Sequence, residues 1–313
     1  ARVVGDAWSP PVLVRDRLGK KPLKYFQDAE GVIFASELKA ILEHPRVTKR
    51  VDPVAIHHYL TLQYVPAPLT GFAGIKKLPP AHYAVIEQGK MTIRRYWQLD
   101  LSKTVQRSEA EWTDIICREL ETSVKLRMIS DVPLGAFLSG GIDSSAVVAM
   151  MAKHSNRPVK TFSIGFKEAS HNELPYAKMI AEKYATEHTE FIVEQQAVDI
   201  LPKLAWQYEE PFADSSALPT YILSELTRQH VTVALNGDGG DENFAGYERY
   251  PIYSFASVLA RMPRILKHLA RGAAKSVRAM YPTTLTDRAS RFADSLLTTP
   301  ARRYLEYMQY FSD

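Results

Sequence analysis

Residues 138–145 read Leu-Ser-Gly-Gly-Ile-Asp-Ser-Ser, a run whose types and order suit the holding of an anion, phosphate above all. Gly140 and Gly141 allow a tight turn that bares backbone N–H groups. Ser139, Ser144 and Ser145 add hydroxyl donors, and a helix start would add the positive end of its dipole. Asp143 would repel a bare phosphate, so its presence points to a divalent cation bridging carboxylate and phosphate. A second cluster, Asn236-Gly237-Asp238-Gly239-Gly240-Asp241-Glu242, sets three carboxylates and three glycines in seven residues. Like charges this close repel unless a cation or proton intervenes. The chemistry it suggests is Mg²⁺ coordination by this cluster together with Asp143, with a nucleotide approaching the glycine backbone; a solvated acidic turn is the plain alternative. A third stretch, 209–221, has Pro211 and Pro219 bracketing Asp214, Ser215 and Ser216. Those three side chains either line a substrate pocket or cap the helix that follows.

Each cluster needs an element to position it. The apolar run 132–137 precedes the first loop and a helical pattern follows at 145–153, giving strand, loop and helix. The apolar residues 231–235 put the second cluster at a strand's C-terminal end, the edge where open α/β sheets bind ligands. Between them, a helix is expected at 109–129, strands at 159–166 and 187–193, and helices at 174–184, 197–208 and 220–229. This alternation predicts a parallel sheet with helices on both faces. The first ~100 residues read instead as β-rich: strands at 12–15, 32–35, 82–87 and 91–97, a turn at 88–90, and helices at 36–42 and 52–60, the second with Asp52 as cap and Pro53 at its first position. Polar residues 100–108 form a linker.

The chain has 313 residues, 46% hydrophobic and 24% charged, a globular composition. No apolar run approaches the ~20 residues of a membrane helix. No signal peptide is evident. The single Cys117 excludes an internal disulfide or a multi-cysteine metal site, and reads as a packing residue on a helix. A net charge of +4 is too mild to argue for nucleic acid. Arg261, Arg264, Lys267, Arg271, Lys275 and Arg278 recur at helical spacing, which reads as a solvated helix face rather than an RNA or lipid surface.

The first loop is neither a Walker A loop nor Gly-x-Gly-x-x-Gly; it resembles the pyrophosphate loop of the PP-loop ATP pyrophosphatases. Segments 138–145, 210–221 and 237–247 together resemble the synthetase signatures of the glutamine-hydrolysing asparagine synthetase family. Segments 15–23, 34–40 and 78–83 resemble the later part of its N-terminal-nucleophile glutaminase domain. The resemblance covers nearly the whole chain. It implies a partial glutaminase domain over 1–100, a linker over 101–108, and a PP-loop synthetase domain over 109–313, truncated at its C-terminus. It also implies the reaction: ATP adenylates the β-carboxylate of aspartate, pyrophosphate leaves, and glutamine-derived ammonia attacks the acyl-adenylate.

By the same resemblance, Leu138, Ile164 and Gly237 contact adenosine. Ser139, Gly140, Gly141, Asp143, Ser144 and Ser145 hold the pyrophosphate, Asp143 and Asp241 hold Mg²⁺, and Asp238 and Glu242 are the catalytic acids. Composition, charge and the lack of a long apolar run lead to the expectation of a cytoplasmic protein with no nucleic-acid or membrane partner, and the resemblance adds small-molecule substrates and is compatible with a homodimer. The glutaminase cysteine is expected upstream of Ala1 and the catalytic lysine downstream of Asp313, so an internal fragment without glutaminase activity of its own is expected. Three positions depart from the family pattern: Asn236 stands for the usual Ser, Ala81 for Gly, and Asn243 for Leu or Val. The stretch 213–216 also lacks the Arg that some members use for aspartate, which leaves open a relative acting on another carboxylate. A tRNA-modifying PP-loop enzyme would be expected to carry paired cysteines. A dead scaffold would not need to keep mutually repelling carboxylates.

Overall fold

The computed structural model describes residues 2–4, 10–166, 173–193 and 197–309. Ala1, Gly5 and Asp6 at one end and Phe311 to Asp313 at the other lie outside the described residues. In chain order the elements are β1 (Arg2–Val4), β2 (Val12–Val14), β3 (Lys24–Asp28), β4 (Gly31–Ala35), α1 (Leu38–Leu42), α2 (Pro53–Leu62), β5 (Ile75–Lys77), β6 (His82–Glu87), β7 (Lys90–Arg95), α3 (Glu109–Arg127), β8 (Leu134–Phe137), α4 (Ile142–His154), β9 (Lys160–Phe166), α5 (Leu174–Lys183), β10 (Glu187–Val193), α6 (Ala197–Tyr208), α7 (Ala217–Thr227) and β11 (Val233–Leu235). Then follow α8 (Gly240–Phe244), α9 (Arg249–Leu259), α10 (Arg264–Met280), α11 (Thr284–Ser295) and α12 (Pro300–Met308). The chain divides into two compact units, Ala1–Asn236 and Gly237–Asp313.

In the first unit two antiparallel sheets, ordered β1-β2-β6-β7 and β4-β3-β5, precede a parallel sheet ordered β10-β9-β8-β11. The α/β class expected from the alternation is therefore observed. Local chemistry explains several boundaries. Asp52 caps α2 by accepting from the N–H groups of Val54 (2.9 Å) and Ala55 (3.3 Å), with Pro53 in the first turn. Ser108 and Glu111 close a capping box at the start of α3. The β6–β7 hairpin turns through Gln88 (φ 49) and Gly89 (φ 75), the positive pair that matches strand twist. Ala81, where the resembling family carries Gly, has φ 59, a left-handed conformation that explains why Gly is usual there.

The strand β3 has no counterpart among the expected elements. Lys24, Gln27 and Asp28 interrupt its apolar alternation, and Lys24 is buried only because an acidic partner meets it. Helix α7 starts at Ala217 rather than 220, so Pro219 sits inside its first turn. Under the parallel sheet, Val124 of α3, Val148 and Met151 of α4 and Ala177 of α5 pack with Ala136 and Leu138. On its other part Phe162, Leu223 and Val231 form a second cluster. Burying each large side chain contributes about 1.5–3 kcal/mol. This packing fixes where β8 ends and α4 begins.

The second unit is helical. Its basic stripe lies along α10 and is partly neutralised by α11. Arg271 meets Asp294 at 2.6 Å, Lys275 meets the same carboxylate at 3.5 Å, and Arg278 pairs with Asp287. Among the described residues no helix is long and apolar enough to cross a membrane. Cys117 is exposed on α3, not packed as expected from its type.

Candidate nucleotide and acceptor sites

The strand–loop–helix of the first cluster is present as β8, the loop and α4. Gly140 has φ 84, and a Cβ there would fall 2.5 Å from Tyr176 Cβ and 2.6 Å from the Ala177 backbone nitrogen. Only glycine satisfies both the dihedral and the close approach of α5. Gly141 then serves as the cap residue of α4 with extended backbone (φ −66, ψ 160) and no side chain of its own.

The serines divide their tasks. The Gly141 N–H donates to Ser139 Oγ at 3.2 Å, and the Ser139 N–H donates to Ser144 Oγ at 3.3 Å. Ser144 Oγ donates to the Gly141 carbonyl at 3.2 Å, which uses its only proton, so the 3.0 Å contact between the two hydroxyls is donated by Ser139. Ser139 and Ser144 therefore hold the loop in shape. Ser145 Oγ is different: it is buried and has no hydrogen-bond partner. A buried hydroxyl without a partner costs about 1–3 kcal/mol, which an incoming oxygen ligand would recover. Gly140 thus serves the packing of α5 against the loop, while the orphan hydroxyl of Ser145 is the group suited to a phosphate oxygen near the N-terminus of a 13-residue helix.

Asp143 is half-buried in the first turn of α4, where a carboxylate also matches the helix dipole. Leu138 is fully buried; its N–H donates to Phe162 O (2.9 Å) and its carbonyl accepts from Ser163 Oγ. Any contact it makes with adenosine is confined to what this pairing leaves open. Ile164 is half-buried beside Phe162 on β9.

In the third stretch the structure shows the turn that starts the following helix. Asp214 accepts from the Ser216 N–H (2.8 Å), and its carbonyl accepts from the Ala217 N–H (3.1 Å). Asp214 thus forms the turn that starts α7, while Ser216 makes no side-chain cap. Asp214, Ser215 and Ser216 are all exposed, with the serine hydroxyls outside the turn's hydrogen bonds.

In the second unit, Gly239 caps α8 with φ 91 and Ala245 ends it with φ 58. The Gly237 carbonyl accepts from the Gly240 N–H at 3.2 Å. Asn243, the departure from Leu or Val, donates from Nδ2 to the Gly239 carbonyl at 2.6 Å, so its amide braces its own loop. Asp241 is half-buried and Glu242 exposed. Tyr247 Oη donates to Glu242 Oε1 at 2.7 Å, and the Arg249 guanidinium lies 3.7 Å over the Tyr247 ring. Sequence reasoning missed Tyr247 and Arg249 as part of this cluster, because they lie beyond the acidic run and stack rather than coordinate. The hydrogen bond from Tyr247 holds the Glu242 carboxyl below its usual range.

The fragments 15–23 and 78–83 build structure rather than a site. Arg15 donates to the carbonyls of Leu78 (2.6 Å), Gly19 (3.0 Å) and Lys21 (3.2 Å). Asp16 accepts from the N–H groups of Lys20 (2.9 Å) and Lys21 (3.0 Å).

Residues 116–312 match the family model described as asparagine synthase, and residues 4–97 match the glutamine amidotransferase domain. A Methanocaldococcus jannaschii protein named for the same family is 38% identical over 259 residues, 81% of this chain and 50% of its own length. The glutamine-hydrolysing asparagine synthetase 1 of Bacillus subtilis is 35% identical over 262 residues, 82% of this chain and 41% of its own. The glutamine-hydrolysing asparagine synthetase 3 of the same organism is 32% identical, covering 80% of this chain and 42% of its own. The chain spans half or less of the length of these relatives.

Proposed function

This chain belongs to the asparagine synthase family, and from that premise we propose that it is the ATP-using part of a ligase that amidates aspartate with glutamine-derived ammonia. The observation that supports the reading most is the loop after β8: it leads into the N-terminus of α4, and the Ser145 hydroxyl there is buried and has no partner. A phosphate oxygen would satisfy that hydroxyl.

In the proposed reaction a carboxylate oxygen of aspartate attacks the α-phosphorus of ATP, and the bond to the pyrophosphate oxygen breaks. Ammonia then attacks the acyl carbon of β-aspartyl-AMP, loses a proton, and AMP leaves. Ser145 and the first-turn N–H groups of α4 offset the charge that develops on pyrophosphate. Mg²⁺, when bound, would supply further neutralisation of the phosphates, and Asp143 offers the hard carboxylate oxygen it prefers. Glu242, kept ionised by Tyr247, is available to take the proton that ammonia loses, with Asp238 as the second acid. Asp214, Ser215 and Ser216 offer exposed polar groups for the acceptor.

The test uses the full-length protein that contains this chain. Pyrophosphate release is followed with ATP, Mg²⁺ and ammonium, with aspartate and then a panel of other carboxylates. Aspartate-dependent release with equimolar asparagine is expected. Release with a different acid alone would overturn aspartate as acceptor and leave the ATP chemistry standing.

A further inference from the structure

The segment just before the acceptor loop is fastened to the β-rich N-terminal region at every step. Glu209 has φ 65, a left-handed conformation unusual for a non-glycine residue. Its carboxylate is buried and collects three donors: Lys24 Nζ at 2.7 Å, the Leu38 N–H at 2.8 Å and the Lys39 N–H at 3.2 Å. Leu38 and Lys39 open α1, whose own cap residue Glu37 makes no side-chain cap, so Glu209 caps that helix from 171 residues away in sequence. Glu210 pairs with Lys77 and accepts from the Gly71 N–H at 3.2 Å. Phe212 bridges to Tyr64 as an antiparallel pair. The Ala213 N–H donates to the Gln63 carbonyl at 2.9 Å, and Gln63 Nε2 returns a bond to the Ala213 carbonyl at 3.1 Å.

From Ala217 onward the chain is held by the other side, because Ala217, Ile222 and Leu223 of α7 are buried and Leu223 packs against Phe162 of the parallel sheet. Residues 214–216 are thus the span between two anchors. A buried carboxylate at Glu209 beside a half-buried one at Glu210 is a costly way to hold a surface loop unless its position matters, since a carboxylate taken out of water needs pairing to be tolerated. We infer that Glu209 and Glu210 are positioning residues through which the N-terminal region sets the acceptor loop 214–216. This rests on the acceptor role given to that loop above. It gives the N-terminal region a second task besides glutamine chemistry: any shift of that region on the parallel sheet moves Asp214, Ser215 and Ser216.

Two measurements on the full-length protein test it, with Glu210→Gln and Gln63→Gly. The second variant removes only an exposed amide, at a residue whose φ of 67 suits glycine, so it leaves folding intact. Backbone amide exchange over 212–217 is expected to rise about tenfold in each, the loss of one or two net hydrogen bonds, with β8, β9 and α4 unchanged. The KM for the acceptor carboxylate is expected to rise by a similar factor while kcat and the KM for MgATP stay within about twofold. Unchanged exchange at 212–217, or a rise spread evenly over 10–236, would overturn the positioning role. So would faster exchange with acceptor and ATP constants moving together. If the unaltered protein releases no pyrophosphate with any acid, the functional reading fails while exchange still decides whether the two glutamates hold the loop.

Discussion

The two glycine-rich loops leave the C-terminal ends of neighbouring strands, β8 and β11, yet they are built in opposite ways. Loop 138–145 is closed on itself by four serine and glycine hydrogen bonds and feeds a 13-residue helix whose Val148 and Met151 are buried. Loop 236–242 feeds a five-residue helix with no buried residue. The first carries one carboxylate and an unfilled hydroxyl; the second carries three carboxylates. A rigid loop suits a ligand that needs preplaced hydrogen-bond donors, such as a phosphate group. An acidic, lightly packed one suits cations and protons, whose positions change during a reaction.

Glycine substitutions test this contrast most severely. Gly140→Ala combines a left-handed φ of 84 with contacts of 2.5–2.7 Å to Tyr176 and Ala177, backbone atoms included. The expected loss is about 2–5 kcal/mol, read as a fall in thermal midpoint, together with loss of ATP-dependent turnover. Gly239→Ala has a similar φ of 91, but its nearest atom, Asn243 Nδ2, lies 3.8 Å away. Only the dihedral cost of about 1 kcal/mol is expected. Equal losses at the two positions would erase the contrast. Between these falls Gly246→Ala. Its Cβ would lie 2.0 Å from Asp241 Oδ1 and 3.2 Å from Asp241 Cα, so the carboxylate must turn away; about 2 kcal/mol is expected, with weakened Mg²⁺ dependence as the functional readout.

The sequence disclosed both loops because glycines and small polar or acidic residues follow apolar strands there, and it disclosed the parallel sheet because apolar strands alternate with amphipathic helices. It did not disclose β3. Lys24 in that strand looks like a surface residue until Glu209, far along the chain, is known to meet it. Nor did it reveal that Ser139 and Ser144 serve the loop while Ser145 is left over, since hydroxyl orientation depends on the backbone turn and not on the residue order. Cys117, expected to pack, shares a helical face with Leu120 and Val124 but is exposed, because it lies a turn N-terminal to Leu120, where the core packing of α3 begins. The basic stripe of α10 was legible as a helix face, but its acidic partners come from α11, where Asp287 and Asp294 are unremarkable in sequence.

Within the first loop, Ser144→Ala and Ser145→Ala sharpen the division of labour. Ser144→Ala leaves the Ser139 N–H without its partner and removes the contact between the two hydroxyls, while the Gly141 carbonyl keeps the Ser145 N–H, so a stability loss of about 1–2 kcal/mol is expected. Ser145→Ala removes a hydroxyl that has no partner and is expected to be neutral or slightly stabilising in thermal unfolding. Its loss should appear instead as weaker binding of pyrophosphate in calorimetry. The reverse order of effects would mean that the loop relies on Ser145 for shape.

The smallest effect lies in the second loop and is electrostatic. The hydrogen bond to Glu242, with burial adding to it, pushes the Tyr247 phenol up from near 10 to about 12, and the same bond lowers the Glu242 carboxyl. A raised phenol contributes stability that is present below its ordinary value and lost as pH rises from near 10 through about 12. The lowered carboxyl contributes stability present above its ordinary value and lost as pH falls through its folded value. The pair therefore holds Glu242 charged across the neutral range. Because both groups are largely open to water, solvent screening keeps the energy small, and titration is a better probe than melting. In protein with ring-labelled tyrosine, assigned with Tyr247→Phe, the Tyr247 resonance is expected to titrate at about 12. Glu242→Gln is expected to return it towards 10, because a neutral amide no longer opposes the phenolate. A titration that stays at about 12 in Glu242→Gln would show that the carboxylate is not what holds the phenol.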